Sequence, residues 1–408
     1  MKKICLVNSI LIVMILGAIF FYKEVVEYTE EKFQQEVVRV ANDAGITMIE
    51  YKGIESIELE VDENNSYIDE DEIFRYGGYA YSQLSVEDQF LYLEIYEMIK
   101  ERKTGITIST VDEVKLDHIY YCVMNDHPQF YYVNGYSGMK YMKGEEITSI
   151  EIYPEYYMSE IEIMNYQVDI DRYVKEYVEQ VPAFATEYEI AKQVYEYVVL
   201  TTQYNIDAPL NQTICSVATY GESVCQGYAE SIQYLLNELG IFATTVTGVV
   251  KTGENHAWNL VKVDGEYYYM DATWGDPEYD VGDEEETPTM PVVNYDYLLL
   301  SEEQIGITHT LNPLVPMPEC NSTKANYYRM EDLYFETYDK ERLQQLIHQV
   351  YDTSQTAFSF QCSSPEVYDL VFTHLIEEGE IFDMMLEKKQ TLVFSSDDSS
   401  LVLTVWLD

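Results

Sequence analysis

Apolar positions along this chain change their period several times, and each change predicts an element. From Ser85 to Lys103 they recur at helical spacing (Phe90, Leu91, Leu93, Tyr96, Ile99), and residues 112–126 repeat the pattern. Residues 129–134 and 147–157 read as strands. Helical spacing returns over 169–180 and 187–202, and the second of these opens on a capping box, Thr186 with Glu189 three residues on. Behind Cys225, the stripe Ala229, Ile232, Leu235, Leu236 and Leu239 predicts a helix that stops at Gly240, a residue suited to a left-handed cap. Two strand-like runs follow, 256–263 and 266–271, around Asp264-Gly265, a favoured two-residue hairpin turn. Pro313, Pro316 and Pro318 then punctuate a linker. Beyond it, 327–334 (strand), 340–351 (helix), 356–361 (strand) and 365–377 (helix) lead to strand-like 391–394 and 401–406.

The pattern is α+β throughout. It predicts a membrane anchor in residues 1–30, a stalk and acidic linker in 31–76, and an N-terminal α+β domain in 77–164. A core in 165–310, the proline-containing linker 311–325 and a small C-terminal α+β domain in 326–408 complete the order. The anchor rests on Lys2 and Lys3 followed by an apolar run from Ile4 to Tyr22. That is about 19 residues, near the ~20 a helix needs to cross ~30 Å of hydrocarbon. No small-x-small cleavage site follows Gly17-Ala18, so an uncleaved signal anchor is expected, with the lysines in the cytoplasm and a single-pass ectodomain outside.

Composition narrows the function classes. The 408 residues carry 73 acidic and 24 basic side chains, a formal net charge of -49, which argues against nucleic acid because phosphate binding needs clustered Lys and Arg. The same charge favours cationic or amine-bearing partners, within the reach salt allows. No C-x-x-C pair occurs, so a structural zinc site is not expected. Asp283-Glu284-Glu285-Glu286 departs from the calcium-loop template and reads as a solvated loop. Neither a metal nor a cofactor is called for.

Chemistry concentrates between Gly221 and Pro277. A cysteine on the first turn of a helix meets the positive end of the dipole and unpaired N–H groups, which favours a nucleophilic thiolate. Gln226 and Gly227 follow it, and Gly227 leaves room for a substrate backbone to approach. In the hairpin, pairing Val263 with Glu266 extends to Trp258 with Asp271 and His256 with Thr273, which puts His256, Trp258 and Asp271 on one face. Asp271 is then the diagonal neighbour of His256 and can fix its tautomer. Trp258 is a candidate for the cleft wall, and Trp274, of opposite parity, is expected in the core. His309 is expected to be packed or on the surface. His118, His127, His348 and His374 have no acidic or cysteine partner at a suggestive spacing and read as structural.

Three blocks, Val224-Cys225-Gln226-Gly227-Tyr228-Ala229, His256-Ala257-Trp258-Asn259 and Tyr269-Met270-Asp271-Ala272-Thr273-Trp274-Gly275-Asp276-Pro277, resemble the transglutaminase-like superfamily over roughly residues 165 to 310, in particular its exported bacterial members. The resemblance implies a papain-like core, with a cysteine-bearing helix packed on an antiparallel sheet. It also implies Cys225 as nucleophile, His256 as general base and acid, Asp271 as orienting carboxylate, and a thioester intermediate. Expected partners are a protein or cell-wall peptide bearing a carboxamide, an amine as acyl acceptor, and the membrane through the N-terminal helix. The superfamily's eukaryotic cross-linking enzymes use an upstream tryptophan as second oxyanion donor. Here Trp258, Trp274 and Trp406 all lie downstream of Cys225, leaving Gln203, Tyr204 and Gln212 as candidates. A cysteine peptidase or amidase on the same core, or a non-catalytic surface module, are the alternatives.

Overall fold

A computed structural model of the chain describes residues 47–50, 78–277, 293–353, 356–386 and 392–407. The expected anchor, most of the expected stalk and the acidic loop 283–286 lie outside them. Among the described residues no helix is long and apolar enough to cross a membrane. The architecture is mixed α+β, in two compact units.

The first unit holds residues 47–50, 97–116 and 134–156. Its four-stranded sheet is built from β1 (Thr47–Glu50), β2 (Ile106–Ile108), β3 (Val133–Lys143) and β4 (Glu146–Tyr156) in the order β1-β3-β4-β2. The strand expected at 129–134 is displaced. Pro128 has a fixed φ and no N–H, and it opens a single 3-10 turn, Pro128–Phe130, so β3 begins only at Val133.

The second unit holds residues 78–96, 117–133 and 157–407. Within it, β5 (Gln203–Tyr204) and β6 (Glu222–Ser223) form a short parallel pair. The central sheet runs β10-β7-β8-β9, with β7 (Ala243–Val250), β8 (Asn255–Val263), β9 (Glu266–Met270) and β10 (His309–Leu311) all antiparallel to their neighbours. The helix Cys225–Glu238 lies on this sheet. Its buried face, Tyr228, Ile232, Leu235 and Leu236, shares one apolar cluster with Val261, Val263, Tyr268 and Met270. Each fully buried side chain of this size contributes about 1.5–3 kcal/mol. Leu239 caps the helix, and Gly240 at φ 77° turns the chain back into β7. The hairpin turn is the expected one, with Asp264 at φ 50° and Gly265 at φ 83°, and Val263 pairs with Glu266.

Two helices support this layer. Glu187–Thr201 has the expected capping box at Thr186 and Glu189. Glu160–Val178 starts nine residues before the predicted 169 because Ser159 and Glu162 form a second capping box there. Toward the C-terminus, β11 (Tyr334–Phe335), β12 (Ala357–Cys362), β13 (Val393–Asp397) and β14 (Val402–Trp406) form a sheet ordered β11-β12-β14-β13. Its own cluster includes Leu343, Ile347, Phe360, Leu403 and Val405. The strand expected over 327–334 is mostly a helical turn, Tyr327–Met330, because the Asn326 side chain accepts from Tyr328 N and starts a helix.

Candidate functional site

Cys225 is the first residue of its helix, and Val224 before it is extended with no side-chain cap. The entry is held from outside the helix, since Val224 N and the Ser223 hydroxyl both donate to Asn211 O, at 3.1 and 2.7 Å. Gly227 is buried, and a Cβ there would fall 2.0 Å from Ser223 Oγ and 3.0 Å from Thr213 O. The space that a glycine leaves, expected to admit substrate backbone, is filled by the protein's own entry loop. Gln226 is half-buried and donates to Glu230 Oε1 at 3.2 Å.

His256 projects from β8 and meets Asp271, with Nε2 2.8 Å from Oδ2. The two residues are brought together in a different way from the predicted one. The β8–β9 ladder ends at Asn259 with Met270, so the pairs Trp258–Asp271 and His256–Thr273 do not form. Asp271 instead leaves the strand and caps the one-turn helix Ala272–Gly275, its Oδ1 accepting from Thr273 N (3.0 Å) and Trp274 N (3.3 Å). A carboxylate that caps a helix with one oxygen has the other free for an imidazole.

The proton assignment follows from this geometry. Nε2 carries the hydrogen that Asp271 accepts, which leaves Nδ1 without a hydrogen in the neutral ring, and the Cys225 thiol helps raise the basicity of His256. Burial alone lowers the imidazole's affinity for a proton. Asp271 first and Cys225 second outweigh it, and His256 is raised to about 10. Burial alone raises the Asp271 carboxyl, and the facing His256 and then His309 outweigh that and hold it at about 2. Asp271 is fully buried, whereas Cys225 is partly exposed. The other described cysteines, Cys122, Cys215, Cys320 and Cys362, are free and buried, and burial pushes all four thiols up, Cys122 and Cys362 to about 12.

Both tryptophans lie beside the His256 ring. Trp258 is 1% exposed, belongs to the cluster of Val246, Leu260 and Ile305, and stacks behind the His256 ring at 6.0 Å between centroids. It backs the imidazole and does not wall an open cleft. Trp274 is half-buried, with its ring 6.0 Å from His256 and 4.7 Å from His309. Strand parity ceases to apply once the chain turns helical at Ala272, which is why the alternation misplaces Trp274, whereas Trp258 shares the face of His256 as the alternation predicts but is covered there.

His309 is packed, as one of its two expected placements has it, and its packing joins it to the site. It is buried, and its Nε2 lies 3.1 Å from the same Asp271 Oδ2. The signal was weak, because β7 and β10 carry it there and neither strand is announced by a clear alternation. The remaining histidines also have partners. His374 Nδ1 lies 2.8 Å from Glu378 Oε2 and 3.3 Å from Glu380 Oε1, and His118 Nε2 lies 3.9 Å from Cys122 Sγ. The i,i+4 spacings of His374 with Glu378 and of His118 with Cys122 stand in the sequence, so both histidines have a partner of the kind not expected for them.

Two clusters have the residue types of a metal centre, His256 with Asp271 and His309, and His374 with Glu378 and Glu380. In the first, both imidazoles sit at hydrogen-bond distance from one oxygen, a spacing accounted for by two N–H donors. In the second, Glu380 is already bonded to Lys340 and Tyr338. Hydrogen bonds and ion pairs thus account for both clusters.

Of the three candidate oxyanion donors, Gln203 and Tyr204 lie on β5 beside the strand that leads into Cys225, and both are exposed. Gln212 is exposed, with its amide 3.4 Å from Asn211 Oδ1.

The model of the transglutaminase-like superfamily matches residues 175–272, which contain Cys225, His256 and Asp271. No curated protein matches the chain. Similar solved structures include a TGase at 16% identity, covering 36% of this chain and 45% of that one with a TM-score of 0.25. Menin, in a structure revealing its binding site for the Mixed Lineage Leukemia protein, is 15% identical over 57% of this chain and 49% of its own, TM-score 0.24. The periplasmic domain of TgpA from Pseudomonas aeruginosa is 13% identical over 32% and 57%, TM-score 0.17. The chain thus spans less than two thirds of each.

Proposed function

Taking residues 175–272 as a transglutaminase-like domain, we propose that the protein is a cysteine acyl-transfer enzyme acting on carboxamides of proteins or peptides. Cys225 is its nucleophile, His256 its acid and base, and Asp271 the carboxylate that orients His256. The observation that carries this reading is the geometry of the set, with a partly exposed thiol at a helix start, an imidazole whose basicity that thiol helps raise, and a buried carboxylate 2.8 Å from the imidazole Nε2.

The chemistry runs as follows. The Cys225 thiol gives its proton to His256 Nδ1, its sulfur attacks the carboxamide carbon, an S–C bond forms, and the carbonyl π electrons move onto oxygen. The N–H of Cys225, one of the four at a helix start without an intrahelical acceptor, is placed to receive that oxyanion. Collapse breaks the C–N bond, and His256 Nδ1–H gives its proton to the departing ammonia or amine. A thioester remains. Attack by a primary amine, with His256 accepting its proton, expels the thiolate and leaves an isopeptide bond, and attack by water leaves a carboxylate. The apolar run 4–22 behind Lys2 and Lys3 supports a membrane-tethered enzyme facing outward.

Ammonia release from an N-blocked Gln-Gly peptide, with and without a primary alkylamine, tests this reading. Release is expected from the native chain and not from Cys225→Ala or His256→Ala. Incorporation of the amine assigns transamidation, and release without incorporation assigns deamidation. A panel of Gln peptides that yields neither ammonia nor cleavage above the Cys225→Ala background overturns the proposal.

A further inference from the structure

We propose that His309 is a positioning residue of the Cys225–His256–Asp271 set, donating a second hydrogen bond to Asp271 Oδ2 so that the carboxylate stays ionised and turned toward His256. The inference rests on the proposed roles of those three residues and extends the set by one member.

The placement of His309 is built in several ways. Its Nε2 lies 3.1 Å from Asp271 Oδ2, and its ring is packed by Trp274 at 4.7 Å and Trp258 at 4.9 Å. β10, which carries it, pairs with β7, His309 opposite Val250. That approach is possible because residue 248 is glycine. A Cβ there would come 2.2 Å from Thr310 O and 2.6 Å from the Trp258 ring. On the far side of the imidazole, Thr308 Oγ1 lies 2.8 Å from Nδ1, while its other acceptor, Ile305 O, is 3.5 Å away. A carboxylate oxygen only accepts, so the hydrogen of a neutral His309 resides on Nε2, pointing at Asp271, and Nδ1 is left to accept from the Thr308 hydroxyl.

Four donors then converge on one buried carboxylate, the N–H groups of Thr273 and Trp274 on Oδ1, and His256 and His309 on Oδ2. A carboxylate out of water stays ionised only if donors replace the lost hydration. His309 also restrains the carboxylate from rotating away from His256. The titratable groups facing this set are Cys225 from its helix, Tyr195 from Glu187–Thr201, whose hydroxyl is 3.3 Å from the Asp271 carbonyl, and Tyr297, whose ring is 6.0 Å from His309 and whose phenol bonds Thr308.

The test is the pH dependence of Cys225 alkylation by iodoacetamide in the full chain, which needs no knowledge of the substrate. His309→Ala is expected to move the acid limb upward by about one pH unit, a roughly tenfold lower rate on that limb, because a carboxylate that loses a donor protonates more easily. His309→Gln keeps a donor and is expected to restore most of the native profile. Thr308→Val leaves the ring in place and frees its tautomer, so a smaller shift in the same direction is expected. Native-like profiles in both His309→Ala and Thr308→Val overturn the inference, as does a His309→Gln profile no better than that of His309→Ala. Failure of the underlying reading looks different, since Cys225 of the native chain would then react no faster than its buried counterparts.

Discussion

Replacing Asp271 with Asn isolates the charge and donor pattern of the proposed set while keeping its shape. One oxygen of the native carboxylate faces two imidazole N–H groups and the other faces two backbone N–H groups. An amide has one accepting oxygen, so whichever way it turns, its NH2 group faces a pair of donors. If the oxygen stays on Thr273 and Trp274, both imidazoles lose their acceptor. If it turns toward the imidazoles, the helix start loses its cap. Leaving a buried donor unpaired costs about 1–3 kcal/mol, so the substitution is expected to destabilise the fold by ~2–6 kcal/mol. His256 responds too. In the native chain its proton affinity is raised, with an ordinary value of 6.5 and a folded value of about 10. A raised value means that the pair's stabilisation is complete below pH 6.5 and fades as the pH climbs toward about 10. Urea denaturation at pH 6, 8 and 9.5, with histidine-labelled NMR titration of His256, measures both effects. Asp271→Asn is expected to show a lower midpoint at pH 6, no loss attributable to this pair between pH 6 and 9.5, and an imidazole that titrates at a much lower pH. A stability within ~0.5 kcal/mol of native together with an unchanged His256 titration would overturn this expectation.

Other substitutions probe the supports of the site. Gly248→Ala is expected to destabilise by about 1–3 kcal/mol and to shift His309, because its Cβ would meet the Thr310 carbonyl and the Trp258 ring, and thermal denaturation with the Trp fluorescence shift will show it. Gly227→Ala is expected to slow Cys225 alkylation at least tenfold while leaving a folded protein, since the Ser223 hydroxyl must move to admit the methyl group and takes the helix entry with it. Glu230, one turn beyond Gln226, is raised by burial to about 8, so its charged form opposes folding increasingly as pH rises from about 4.5 to 8. Glu230→Gln is therefore expected to lift the melting temperature at pH 8.5 more than at pH 5, and an equal change at both would contradict this.

The cysteine helix, its stop at Gly240, the Asp264-Gly265 hairpin and the convergence of His256 with Asp271 were all legible in residue order, because each depends on local chemistry with a short range. The helix stripe reflects one buried face, and the turn reflects two residues that tolerate positive φ. What was not legible depended on where a strand ends. Alternation carries no information about the point at which Asp271 exchanges a ladder position for a helix cap, so Trp274 reaches the His256 ring against its strand parity. His309 was hidden for a different reason. It reaches Asp271 through an edge strand of three residues pairing with β7, a contact between segments about sixty residues apart that no local pattern records. Pro128 and Asn326 show the converse, single residues whose backbone preferences overrode otherwise strand-like surroundings.

The central claim, that Cys225 is activated by the His256–Asp271 pair, is tested most directly by limiting iodoacetamide at pH 7 followed by peptide mapping. Cys225 is expected to be modified well before Cys122, Cys215, Cys320 and Cys362, and His256→Ala to slow its modification by at least tenfold. Modification of Cys225 at an unchanged rate in His256→Ala would contradict it.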